Sequence, residues 1–254
     1  MNSSTATQSS HTLPASGPRG DEVWRELHRM ACAHYRAAGH FAWYFARGKL
    51  GRDPVFRAML ERGDLPARAR VLDIGCGQGL LASLLRACVA VAARGAWPAS
   101  WPPAPLALEY TGIELMPKDV ARANAALGGL PGATPKAHIV CADLRQATLP
   151  ACDLAVLLDV LHYVEPGAQD DLLARVRDAL APGGRLLLRV GDAAQRRGFA
   201  SSQWIDRVVC EARSHRHGCI SGCFAGCRSR KCSGCSLPGR KIVATGGFGA
   251  FRRV

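Results

Sequence analysis

Ten residues limit this chain more than any other stretch. Val71-Leu72-Asp73-Ile74 is an apolar run that ends in glycines at alternate positions, Gly75, Gly77 and Gly79, and passes directly into Leu80 to Ala93, which holds neither Gly nor Pro. Such a pattern dictates a strand, a turn open to positive φ and a helix, because glycine enters the left-handed region without a Cβ penalty. The alternation then repeats. Ala107 to Glu114, Ala137 to Cys141, Asp153 to Leu158 and Gly184 to Val190 read as strands, and Asp119 to Leu127 and Ala168 to Leu180 as helices. Apolar strands alternating with helices predict an α/β fold, a Rossmann-like doubly wound, mostly parallel sheet covered on both faces.

The rest of the chain arranges itself around that core. Residues 1–20 are a Ser/Thr/Pro-rich leader without periodicity, expected to be disordered. Residues 21–66 form an N-terminal helical cap: Val23, Trp24, Leu27, Met30, Ala31 and Tyr35 recur at helical spacing, and two further helices are expected over His40 to Arg47 and Pro54 to Arg62. The α/β domain spans 67–213, and 214–254 is an atypical basic tail rich in Cys and Arg. The leader has no apolar signal-peptide core, and no run approaches the length of a membrane span, so the chain is expected to stay in the cytoplasm. The net charge of +13 suggests polyanions only until it is located: nine Lys and Arg lie from Ala212 to Val254, where no Asp or Glu occurs.

In a doubly wound sheet the ligand sits beyond the carboxyl ends of the strands, at the crossover after the first one. The three glycines fall there, and the helix beginning at Leu80 offers unpaired N–H groups to the same place. A nicotinamide-type G-x-G-x-x-G/A fingerprint fits poorly, because the frame from Gly75 ends on Leu80 and Asp73 would repel a pyrophosphate. Glu114 ends the second strand, where a carboxylate can take both ribose hydroxyls, with an exposed strand-end acid as the plain alternative. Asp143 ends the third, positioned to meet an adenine amino group.

Asp73-Ile74-Gly75-Cys76-Gly77-Gln78-Gly79 resembles the first motif of the class I S-adenosylmethionine-dependent methyltransferases. Glu114, Asp143, the run CDLAVLLDVLHYV and the segment LAPGGRLLL fall in order where that family has its next four elements. The resemblance covers Phe41 to Val190. It implies S-adenosyl-L-methionine as cofactor, with Asp73, Gly75, Cys76, Gly77, Gly79, Glu114, Leu115, Asp143, Leu144 and Asp159 around it. One departure is the 35 residues from Gly79 to Glu114, where about 20 are usual; the loop Arg94 to Pro105 accounts for the excess, with Trp97 and Trp101 as its staple.

A sulfonium donor is already activated, so methyl transfer asks the protein for alignment, exclusion of water and, for a neutral nucleophile, removal of a proton. The resemblance places Asp159 to Tyr163 where methyl group and acceptor meet. His162 is the catalytic candidate there, as base or acceptor-positioning group, against a packed histidine that only shapes the pocket. No N-P-P or D-P-P aromatic run follows the fourth strand. In this superfamily such a run resembles the enzymes that methylate amino groups of nucleic acid and glutamine, so a small-molecule acceptor is expected, apolar or aromatic if the cap's aromatic residues wall the site. No metal is expected there, and the sequence sets no oligomeric state.

The tail departs from the resemblance, which implies a further helix and a final pair of strands after Val190. Gln203 to Arg213 suits the helix, but past Ser214 only Ile242 to Ala244 reads as a strand. Cys219, Cys223, Cys227, Cys232 and Cys235 contain one Cys-x2-Cys and no second paired knuckle, which weakens a zinc reading. A basic RNA-binding tail lacks stacking aromatics. A C-terminus translated from a shifted frame fits the abrupt rise of Cys, Arg, Ser and Gly best, and would leave a degenerate, nonenzymatic chain as the alternative to an enzyme.

Overall fold

The computed structural model describes residues 18–128 and 136–190, with the backbone of two strands at 241–246 and 250–251. Helices α1 (Gly20–Ala33), α2 (His40–Arg52) and α3 (Val55–Glu61) precede β1 (Arg68–Ile74) and α4 (Leu80–Ala93). There follow β2 (Ala107–Glu114), α5 (Pro117–Leu127), β3 (Ala137–Cys141), β4 (Cys152–Leu158), α6 (Pro166–Ala179), β5 (Leu180–Arg189), β6 (Lys241–Gly246) and β7 (Ala250–Phe251). One sheet holds them in the order β3-β2-β1-β4-β5-β6-β7. All neighbours from β3 to β6 are parallel, and β7 alone runs antiparallel, against β6. The chain moves outward from β1 to β3 and then returns to β4, so the crevice between β1 and β4 is the switch point where such folds bind ligands.

The strands alternate their side chains between two layers, as a pleat with period two requires. Val71 of β1 joins the cluster built by α1 to α5, whereas Leu72 and Ile74 join the one closed by Leu172 and Val176 of α6. In α1, Val23, Leu27 and Ala31 are buried at four-residue spacing. The loop before β2 is stapled as its tryptophans suggested: the Trp97 indole donates to the Pro102 carbonyl at 2.8 Å, and the Trp97 and Trp101 rings meet edge to face, centroids 5.4 Å apart. That loop leads into the amino end of β2, away from the ligand edge.

Two expectations need correction. The tail supplies two strands, β6 and β7, rather than the single short one over Ile242 to Ala244, and β6 pairs along Arg185 to Arg189 of β5, so the pair of strands read as missing from the tail is present at that edge of the sheet. The Cys219–Cys235 cluster and the helix expected over Gln203 to Arg213 lie outside the described residues. Among the described residues no group of three His, Cys, Asp or Glu side chains could hold a metal, and no helix is long and apolar enough to cross a membrane.

Helix α2 also runs to Arg52, past the expected end at Arg47, because its last turn is tied down. The Lys49 ammonium lies 2.9 Å from Asp53, and Asp53 accepts the Val55 N–H at 3.1 Å to start α3. Arg189, at the end of β5, then grips Asp53 with both terminal nitrogens at 2.6 and 2.7 Å and donates through Nε to Asp159, just past the end of β4, at 2.8 Å. Burial would raise the Asp53 carboxyl, but Arg189 and Lys49 outweigh it and hold it down at about 2. Removing one member of a mostly buried pair leaves its partner uncompensated. Arg189→Met is therefore expected to destabilise the fold by about 3 kcal/mol, read as a lower midpoint in urea at an unchanged slope; an unaltered midpoint would show the clamp to be idle.

Candidate functional site

The turn after β1 is built from backbone that favours glycine. Gly75, Gly77 and Gly79 all lie in the left-handed region, at φ 73°, 56° and 72°. At Gly75 a Cβ would come within 2.4 Å of Val160 Cγ2, so the turn packs directly on the segment after β4. Gly77 differs: a Cβ there would meet nothing within 4 Å, which leaves its outer side open at the strand ends. The turn is hung on β2, since the N–H groups of Gly75 and Cys76 both donate to the Ile113 carbonyl, at 2.8 and 3.1 Å.

Glu114 completes this arrangement. One carboxylate oxygen accepts the Gly77 N–H at 2.9 Å and the other the Met116 N–H at 2.9 Å. A carboxylate has about four lone-pair sites, so each oxygen keeps room for one hydroxyl donor. The half-buried Glu114 thus sits beside the open face of Gly77 with both oxygens oriented by backbone.

The other residues expected around a cofactor fall into three groups. Asp73 and Cys76 turn inward. Asp73 is 5% exposed and accepts the Tyr110 hydroxyl at 2.5 Å, while burial pushes the Cys76 thiol far up, so that it stays protonated and inert. Leu115 and Asp143 reach the surface side, Leu115 at 52% exposure. Arg145 holds both oxygens of Asp143 at 2.5 to 3.0 Å, lowering that carboxyl, so an adenine amino group would have to share it. Leu144 packs against the layer of α6. Asp159 and His162 stand after β4: Asp159 is bonded by Arg189 and faces Lys49, and the half-buried His162 ring packs on Tyr163, centroids 3.9 Å apart.

Several residues at the site were not anticipated. The buried Tyr35 hydroxyl donates to the Gln78 carbonyl at 2.8 Å, pinning the glycine turn from the cap. The Gln78 side-chain amide donates to Asp119 at 3.2 Å, and Arg122 pairs with the same carboxylate at 3.0 Å while its guanidinium lies 4.3 Å from the Phe41 ring. Of these contacts only the place of Phe41 carried a sequence signal, since Phe41, Phe45, Lys49 and Asp53 recur every four residues and so share a helix face. Two surface hollows, one including Gln146, Arg175 and Ala179 and one along Arg68, Arg70 and Glu109, lie away from this edge.

The electrostatics give a test of how Asp73 is used. Burial pushes its carboxyl up to about 7, the Tyr110 bond opposes the rise, and the charge of Glu114 adds to it. An unfolded Asp titrates near 3.9, so the fold binds this proton more tightly than the unfolded chain does. The sign follows: stability falls as pH rises from about 4 through about 7. Asp73→Asn keeps an acceptor for Tyr110 and removes the titration, so its melting temperature is expected to drop less than that of the parent across this window. Equal slopes in the two proteins would show Asp73 to be ionised in the fold.

Comparison with known proteins adds to this geometry. A family model described as a methyltransferase domain matches residues 42–221. Acetylserotonin O-methyltransferase of Rattus norvegicus is 45% identical over 58 residues, 23% of this chain and 13% of that protein. Carboxy-S-adenosyl-L-methionine synthase of Shewanella loihica is 22% identical over 171 residues, 64% of each chain. The first relatives are thus spanned only in small part. Among solved structures, a SAM-dependent methyltransferase from Thiobacillus denitrificans in complex with S-adenosyl-L-homocysteine is 23% identical, with a TM-score of 0.33 over 48% of this chain and 41% of that one.

Proposed function

Because the chain belongs to the methyltransferase-domain family, we propose that it transfers a methyl group from S-adenosyl-L-methionine to a small-molecule acceptor. The observation that carries this reading is the pairing of Glu114 with the open, left-handed Gly77 at the carboxyl ends of β1 and β2. A bulky nucleoside needs backbone without a Cβ beside it and a carboxylate with acceptor sites to spare, and these residues offer both. When bound, the cofactor supplies an electrophilic methyl group on a sulfonium, a leaving group that needs no further activation.

The chain's own residues then bind, orient and exclude water. Gly75, Gly77 and Gly79 shape the cradle, and Glu114 takes the ribose hydroxyls. Asp73 and Cys76 act from beneath by keeping the turn packed. Leu115 and Leu144 flank the base, and Asp143 reaches its amino group in competition with Arg145. Asp159 and His162 face the acceptor side. His162, packed at a tilt against Tyr163, serves as a wall that positions the acceptor rather than as its base. The exposed Phe41, Tyr44 and Phe45 of α2 suit an apolar or aromatic acceptor, in keeping with partial likeness to an O-methyltransferase by name.

Two outcomes check the reading. Calorimetric titration of the full chain with S-adenosylhomocysteine is expected to give micromolar binding, abolished by Gly77→Arg, whose side chain would enter the open space; a folded chain that binds nothing would overturn the reading. His162→Ala is expected to raise KM for the acceptor by about tenfold with kcat within about threefold, since positioning is lost without loss of proton transfer. A fall in kcat of about 100-fold or more would instead make His162 the base.

A further inference from the structure

Helix α2 carries a stripe that neither the core nor the cofactor cradle uses. Phe41, Phe45 and Lys49, four residues apart, share one face of the helix. Phe41 and Phe45 are 62% and 41% exposed, and their rings stack with centroids 6.3 Å apart. Gly48 lies on the same face, where a Cβ would meet nothing within 4 Å.

Both ends of the stripe are fixed at the ligand edge of the sheet. At one end Arg122 lies over Phe41 and pairs with Asp119, which holds Gln78 of the glycine turn. At the other the Lys49 ammonium lies 3.5 Å from Asp159, past the end of β4. Eight residues of helix cover about 12 Å, so the stripe runs along the strand ends from the side of β2 to that of β4.

The polar end is selective. Lys49 is anchored on Asp53 at 2.9 Å, and its 3.5 Å contact with Asp159 is the loosest of the cluster. A group entering there meets an ammonium that donates and a carboxylate that accepts. A carboxylate or phosphate would face Asp159, and an ammonium would face Lys49 and Arg189. A neutral hydroxyl satisfies both partners, since it accepts and donates, and it carries no charge to desolvate. Asp159 is also the one non-glycine residue with positive φ, 57°, among those described, and such strain persists where surrounding contacts impose it, often at ligand sites.

We propose that the α2 stripe and the Lys49–Asp159 pair form the acceptor pocket, taking a flat apolar or aromatic molecule that presents a neutral hydroxyl. The hydroxyl lies between the Lys49 ammonium and the Asp159 carboxylate, and the body of the molecule lies along Phe45 and Phe41. That this ligand is the acceptor rests on the methyl-transfer reading; that it binds does not.

The test is calorimetric, on the full chain with and without S-adenosylhomocysteine. The probes are ethyl cinnamate and its 4-hydroxy, 4-carboxylate and 4-aminomethyl derivatives. The hydroxy compound is expected to bind about tenfold or more tightly than ethyl cinnamate, as one added hydrogen-bonded group to ions allows, and both charged compounds more weakly. Lys49→Met is expected to weaken the hydroxy compound by about fivefold or more while leaving ethyl cinnamate within about twofold, because the hydroxyl keeps its bond to Asp159 but loses the ammonium donor. The exposed Phe45→Ala, which leaves the fold intact, is expected to weaken both by about tenfold through lost apolar contact. Equal affinities in the parent, preference for a charged probe, or no binding by a chain that takes S-adenosylhomocysteine would overturn the pocket. Selective binding of the hydroxy probe by a chain that does not take S-adenosylhomocysteine would uphold the pocket and overturn methyl transfer instead.

Discussion

The side-chain carboxylate of Glu114 ties the ends of two strands together. Its oxygens accept one N–H from the turn after β1 and one from the start of α5, and with the Ile113 carbonyl, which accepts from Gly75 and Cys76, it sets the distance between the glycine cradle and the end of β2. The three left-handed glycines make that approach possible: at Gly75 and Gly79 a Cβ would press on Val160 and Leu127, while Gly77 keeps its outer side open. The remaining parts hold these two features in register. Asp73 and Tyr110 pack the turn from below, and Tyr35 pins it from the cap.

The cap is held by charge as much as by apolar packing. Arg189 sits between Asp53 of the cap and Asp159 of the sheet, with Lys49 closing the cluster. Two cations and two anions leave no net charge, which lets the group sit largely out of water without a lone ion. It also fixes the direction of α2 across the ligand edge, so the same contacts that stabilise the cap orient its exposed aromatic face. The carboxyls of the two layers are poised oppositely: Asp53 is held down by its cations, and Asp73 is pushed up by burial.

Much of this is legible in the sequence. The spans of β2, α4 and β3 agree with their expected bounds to the residue, because each is bounded by a sharp change in local pattern. The motif glycines and Glu114 were legible for the same reason, since their spacing reflects one turn and one strand length. Contacts between distant segments were not. Asp53 and Arg189 are 136 residues apart, and nothing local marks them as partners. The inward turn of Asp73 depends on Tyr110 in the neighbouring strand, and the pairing of β6 with β5 depends on registry across the sheet. Helix α2 outran its expected end because the Lys49–Asp53 pair carries it past Gly48 and Gly51.

The most direct test of the central claim is a crystal structure of the chain with S-adenosylhomocysteine. The account requires both ribose hydroxyls within hydrogen-bond distance of the Glu114 carboxylate, and the nucleoside against the open face of Gly77. A nucleoside bound elsewhere, or a Glu114 side chain turned away from the ribose, would contradict it.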